Sequence, residues 1–148
     1  ARFDTLTETW SPLGSGTTNG IGEFGVVYAV AINGSDVYVG GSFWEAGGTT
    51  ANNVARFNIT TQTWSPFGAG SANGVNSTVT AFALMSNDIY VGGLFTQAGD
   101  APANYLARFD VLTQTWSPLG SRAANGTNAT VTDLAIVGSD LYVGGGFT

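Results

Sequence analysis

The sequence predicts an all-β chain of repeated four-stranded antiparallel sheets, and three observations carry that prediction. First, one block recurs. Asp36-Val-Tyr-Val-Gly-Gly-Ser-Phe, followed by Ala55-Arg-Phe-Asn and Thr63-Trp-Ser-Pro, returns as Asp88-Ile-Tyr-Val-Gly-Gly-Leu-Phe, Ala107-Arg-Phe-Asp and Thr115-Trp-Ser-Pro. Its second half stands alone at the start (Ala1-Arg-Phe-Asp, Thr9-Trp-Ser-Pro) and its first half alone at the end (Asp140-Leu-Tyr-Val-Gly-Gly-Gly-Phe). Second, the 148 residues include 22 Gly, 9 Phe, 5 Tyr and 4 Trp, with only 9% charged, which suits short strands joined by tight turns. Third, turn-forming residues separate every apolar run.

The repeat fixes the units. Residues 55–96 align with 107–148 without a gap at 25 identities in 42 positions. The chain therefore divides into units 1–54, 55–106 and a truncated 107–148, and a periodic sequence of this kind is a stack of similar modules. Each unit holds four strands in order. Val26–Ile32, Val79–Met85 and Val131–Val137 are short apolar runs suited to a buried strand A. Tight turns closed by Asp36, Asp88 and Asp140 lead to strand B, Tyr-Val-Gly-Gly. Loops of roughly ten residues, Trp44–Asn53 and Thr96–Tyr105, lead to strand C, Ala-Arg-Phe. A second turn leads to strand D, Thr-Trp-Ser-Pro, whose Pro12, Pro66 and Pro118 place it at the sheet edge because proline cannot donate to a ladder. Within strand A, Asp133 falls opposite Tyr28 and Ala81 when the units are aligned by their apolar runs.

Tyr-Val-Gly-Gly, then Ala-Arg-Phe-Asn, then Thr-Gln-Thr-Trp-Ser-Pro resembles a kelch repeat, a family combining a Gly-Gly strand, an aromatic-Asp pair and a Thr-Trp at this spacing. The resemblance spans essentially the whole chain and implies β-propeller blades. Arg2, Arg56 and Arg108 stand where kelch units often carry an acidic residue, so the chain is kelch-like. Closed propellers usually have four to eight blades. Three blade-equivalents thus imply either half of a six-bladed ring, completed by a second copy of the chain, or a segment of a larger propeller. In the two-chain ring, the N-terminal C–D strands complement the C-terminal A–B strands.

Composition narrows function. Ten carboxylates against four arginines give a net charge of −6, unfavourable for nucleic acid or anionic membranes. No apolar run approaches the ~18 residues of a membrane span. Cysteine and histidine are both absent, which removes thiol and imidazole chemistry, including Ser-His-Asp and Cys-His sets. Propellers of related appearance include copper-radical oxidases, which need His and Cys, and sialidases, which need three arginines at one site. Here three of the four arginines repeat in strand C. No cofactor is expected, with calcium at loop oxygens the one cation left open. The Thr/Asn/Gly-rich, Lys-free make-up points to an extracellular or cell-surface protein, and Asn33, Asn58, Asn76, Asn125 and Asn128 open Asn-x-Ser/Thr sequons.

Alternating strand direction puts the A–B and C–D turns on one face and the long B–C and D–A loops on the other. The D–A loops are 14–25, 68–77 and 120–129. A ligand site belongs on the long-loop face. Residues that break the repeat there are the candidates: Trp44 and Glu45, Asp100, and Asp133 on the inner strand, with Glu23, Phe24 and Arg122 as weaker singular positions. Residues present in every unit serve the blade instead. Trp10, Trp64 and Trp116 are inter-blade packing. Arg2, Arg56 and Arg108 pair with a nearby carboxylate or ring. Gly40-Gly41, Gly92-Gly93 and Gly144-Gly145 admit close backbone approach. The expected role is a non-catalytic recognition or scaffold module for a protein or glycan. A structural or adhesive array in a larger protein, and less so a glycan-active enzyme, are the alternatives.

Overall fold

A computed structural model describes residues 1–15, 19–120 and 125–148. Two four-stranded antiparallel sheets form its centre. The first orders β3 (Val26–Asn33), β4 (Asp36–Ser42), β7 (Val54–Asn58) and β8 (Thr63–Pro66) side by side. The second orders β9 (Val79–Met85), β10 (Asp88–Gly93), β13 (Leu106–Asp110) and β14 (Thr115–Pro118) in the same way. Both are the expected A-B-C-D sheet with the proline strand outermost. Two half-sheets flank them: β1 (Arg2–Asp4) with β2 (Thr9–Ser11) before, and β15 (Val131–Val137) with β16 (Asp140–Gly145) after.

The B–C segments carry more order than the sequence reading gave them. Each holds a two-residue hairpin, β5 (Glu45–Ala46) with β6 (Thr49–Thr50) and β11 (Gln97–Ala98) with β12 (Ala101–Pro102). Gly47 and Gly99 turn these hairpins at φ +60 and +55, and a Cβ on either would strike the indole of Trp64 or Trp116. The bare glycine surface is the seat of the tryptophan. A single 3-10 turn, Gly70–Ala72, interrupts the loop before β9.

Strand register corrects the alignment of strand A. Ala29 pairs with Gly40, Ala81 with Gly92 and Asp133 with Gly144. Asp133 is therefore the counterpart of Ala29 and Ala81, and Tyr28 that of Thr80 and Thr132. Apolar-run alignment misplaces the first unit by one because β3 is eight residues long where β9 and β15 are seven. The displaced residue is a β-bulge: the ladder skips Tyr28, Thr80 and Thr132.

The glycine pair makes both the bulge and the seam. A Cβ on Gly41 or Gly93 would run into the carbonyl of Val26 in the neighbouring bulged strand β3 or of Thr78 just before the bulged strand β9. A Cβ on Gly40 would instead meet Val79 and Phe82 of the second sheet, and one on Gly92 would meet Val131 and Leu134 of the next half-sheet. The first glycine of each pair thus lets the following sheet seat its inner strand.

The core lies between sheets. Tyr38 and Val54 from the first sheet join Val79, Ile89, Val91 and Phe109 from the second in one buried cluster with Phe67. Phe67 stacks on Phe109 at 4.5 Å and meets Tyr38 edge-on at 5.7 Å. Ala81, Ala83 and Tyr90 repeat the arrangement against Val131 and Leu134. No helix among the described residues is long and apolar enough to cross a membrane.

Candidate functional site

The turns on the short-loop face are built by the repeated polar residues. Asp110 Oδ1 accepts hydrogen bonds from the backbone N–H groups of Leu112 (2.8 Å) and Thr113 (2.9 Å). Asp4 does the same for Leu6 and Thr7, and Asn58 for Thr60 and Thr61. Those N–H bonds hold the Asp4 and Asp110 carboxyls below the usual value of 3.8. Arg56 reaches Asp36 at 3.7 Å and Arg108 reaches Asp88 at 3.4 Å, each within its own sheet. Among the described residues, Arg2 has its ion pair with Asp4, at 4.0 Å. Burial, then the neighbouring Asp36 charge, push the Tyr38 phenol up.

Trp64 Nε1 donates to the carbonyl of Leu13 (3.1 Å) and Trp116 Nε1 to that of Phe67 (3.2 Å). Each indole therefore reaches back to the segment just after the outer strand of the preceding unit. Trp10 is exposed.

The symmetry-breaking candidates do not converge. Trp44, 66% exposed, follows β4, and the Glu45 carbonyl accepts from the Gly22 N–H (2.8 Å). Asp100 sits at the turn of the β11–β12 hairpin and accepts from Ser71 Oγ (3.2 Å). Asp133 accepts from the N–H of Leu134 (2.9 Å) and lines a shallow cleft of about 300 Å³ with Tyr142 and Gly144. No described cavity is lined by two of these four residues. Glu23 and Phe24 are exposed, and Arg122 lies outside the described residues. Among the described residues no three His, Cys, Asp or Glu side chains come together as a metal-binding group.

What the long-loop face does hold is a cleft at each seam. The first, about 190 Å³, is lined by Asn52 and Asn53 from one sheet and by Asn73, Asn76, Gln97 and Gly99 from the next. The second, about 430 Å³, is lined by Asn104, Asn125, Thr127, Asn128 and Thr148 with Phe147. An Asn-Gly pair shapes both. Gly74 and Gly126 stand at φ +71 and +79, where a Cβ would meet the carbonyl of Asn52 or Asn104. Asn73 Nδ2 donates to Thr50 O (2.7 Å), and Asn125 Nδ2 donates to Pro102 O. Both amides are buried, and among the described residues the Oδ1 of each has no hydrogen-bond partner. A buried acceptor left open costs free energy comparable to a lost hydrogen bond.

Sequence reasoning read Asn125 as a sequon residue and did not single out Asn73. The signal was Asn-Gly repeated at Asn19, Asn73 and Asn125.

Sheets with this strand order, twinned glycines and indoles reaching across seams define a β-propeller. The sequence profile of a β-propeller domain of unknown function (DUF5122) matches residues 36–58 and 87–111, the β4-to-β7 and β10-to-β13 segments. No curated protein matches significantly. Among solved structures, the crystal structure of the computationally designed Ika4 protein is similar over 88% of this chain and 92% of that one, at 17% identity and a TM-score of 0.46.

Proposed function

We propose that the chain is a non-catalytic, kelch-like propeller module that recognises a neutral, hydroxyl-rich ligand, a glycan, through its long-loop face. The observation that supports this most is the seam cleft lined by amide side chains, Asn52, Asn53, Asn73, Asn76 and Gln97 in the first seam. Its lining in the first seam is Asn, Ser, Gln, Gly and Val, with no carboxylate or guanidinium. Amides offer a donor and an acceptor together, which matches sugar hydroxyls rather than an ion. The repeated carboxylates Asp4 and Asp110 are engaged in turns and Asp36 and Asp88 in ion pairs, which supports a structural role for them. An extracellular or cell-surface setting agrees with the Lys-free composition and with the exposed sequon asparagines Asn33, Asn76 and Asn128.

The test is a glycan array with the wild type, Gln97→Ala and Trp44→Ala. Signals that fall with Gln97→Ala and persist with Trp44→Ala place the ligand in the cleft. A wild type that binds nothing refutes the reading. The near-identical repeat units favour a second reading, a structural or adhesive array of such blades in a larger protein.

A further inference from the structure

In the second and third units one asparagine pins the loop entering strand A to the residues that follow strand B. Asn76 Oδ1 accepts from the N–H groups of Thr96 (2.9 Å) and Gln97 (3.1 Å), and its Nδ2 donates to Thr96 Oγ1 (3.1 Å). Asn128 holds Thr148 in the same way, by its N–H and its hydroxyl, both at 3.2 Å. Counted from the Asn-Gly pairs at Asn19, Asn73 and Asn125, the matching residue of the first unit is Gly22. Trp44 stands in the place of Thr96 and Thr148. Both halves of the clamp are replaced there, and Glu23 and Phe24, which have no counterpart in the other units, follow Gly22.

Backbone contacts bring these departures together. Gly25 N–H donates to Gly22 O (3.0 Å), closing a tight turn with Glu23 and Phe24 at its tip. Gly22 N–H donates to Glu45 O (2.8 Å), and a Cβ on Gly25 would meet Phe43 Cβ at 3.0 Å. The feet of the turn rest on Phe43 and Glu45, so its tip lies beside the residue between them, Trp44. Phe24 holds φ +67 at the third position of the turn, a conformation that glycine takes freely and a bulky side chain takes at a cost. Its ring gains little packing in return, being 84% exposed. The same corner is open in the second sheet, which the first sheet and β15–β16 flank: Asn76 and Thr96 are exposed there.

The charge at this corner is one-sided. Among the described residues the Glu23 and Glu45 carboxylates have no hydrogen bond or ion pair. Arg2, Arg56 and Arg108 are each held by an aspartate of their own sheet.

We infer that this corner binds a basic segment of a protein partner, with an arginine or lysine side chain against the Trp44 and Phe24 rings and the Glu23 and Glu45 carboxylates meeting its charge. A cation over an aromatic face is attracted by the ring quadrupole. Carboxylates with no internal partner give up no internal bond when they turn to a ligand, and a net charge of −6 steers a cationic one toward the chain. The corner shares no lining residue with the first seam cleft, so it is a second site beside the glycan reading.

Fluorescence anisotropy of a fluorescein-labelled Gly-Arg-Gly-Arg-Gly peptide tests this on the whole chain. The wild type is expected to bind it, more weakly as salt rises. Trp44→Ala, Glu23→Gln and Glu45→Gln should each raise Kd about three- to tenfold. Glu8→Gln removes the same charge from a C–D turn on the opposite face, copying Gln62 and Gln114, and should leave Kd unchanged. Phe24→Gly separates binding from folding: glycine suits this φ, so the melting temperature should hold or rise while Kd rises as it does for Trp44→Ala. Gln97→Ala should leave peptide binding intact, so failure of the glycan reading and failure of this one are told apart. A wild type that ignores the peptide, a loss with Glu8→Gln equal to that with Glu23→Gln, or Phe24→Gly and Trp44→Ala variants that bind as the wild type does would each overturn the inference. So would a glycan that displaces the peptide.

Discussion

Phe67 is the ring on which the seam between the two whole blades closes, and Phe67→Ala should cost about 3–5 kcal/mol, the range for removing a buried phenylalanine. It is 1% exposed and lies within 4.5 Å of Phe109, 5.7 Å of Tyr38 and 5.9 Å of Trp116, centroid to centroid. Truncation therefore removes three ring contacts and opens a cavity that two rigid sheets cannot collapse into. The equivalent positions in the other units carry Leu13 and Leu119, which calibrates the site. Phe67→Leu keeps an apolar side chain of similar size and should cost below about 1.5 kcal/mol. With a urea slope of roughly 2 kcal/mol per molar, Phe67→Ala should move the unfolding midpoint down by about 2 M, and Phe67→Leu by well under about 1 M. Both are measured at one protein concentration, since association adds to apparent stability. Equal shifts for the two variants would refute the argument that the seam is a packed interior.

Gly92→Ala drives a Cβ into Val131 and Leu134 and should destabilise by about 1–3 kcal/mol, whereas Gly146→Ala, with nothing within 4 Å, should be close to neutral in the same urea titration. Trp116→Phe leaves the ring but removes the N–H bonded to Phe67 O, and should cost about 1–2 kcal/mol in that assay. Asp110 has its folded carboxyl pKa lowered, first by the Thr113 N–H. Its contribution is therefore complete above the unfolded value of 3.8 and is lost as pH falls through the lower folded value. Asp110→Asn, which copies Asn58 in the preceding unit, should keep the turn and flatten the melting temperature between roughly pH 4 and pH 2; an unchanged pH slope would show that other carboxylates set the acid limit.

The blade itself was legible in the chain because its determinants are local and repeated. Proline in strand D marked the sheet edge, and the Asp or Asn opening each C–D turn is the acceptor its type suggested. The twinned glycines were recognised as close-approach positions, but their division of labour was not. Gly41 and Gly93 answer to the bulge on the neighbouring strand of their own sheet, Gly40 and Gly92 to the next sheet, and only register separates the two. Register also moved Asp133 opposite Ala29, since an extra strand residue in one unit is invisible to alignment by apolar character. The seam clefts were missed for a related reason. Asn73 looks like a turn residue until its amide is seen spanning two sheets to Thr50, a contact between residues 23 apart that no local pattern announces.

The indole that reaches back from each blade to the carbonyl of the one before gives the stack a direction. Both seams that an indole crosses are head-to-tail, with the donor on the later unit and the acceptor on the earlier one. Such a joint specifies a neighbour and an angle but carries no count. A unit of this kind can be duplicated, lost or supplied by another chain without a new contact having to arise, because each arrival brings the same indole and offers the same carbonyl. The number of blades is then decided by where curvature brings the last free edge to the first, a geometric condition that evolution can satisfy by gene duplication or by association.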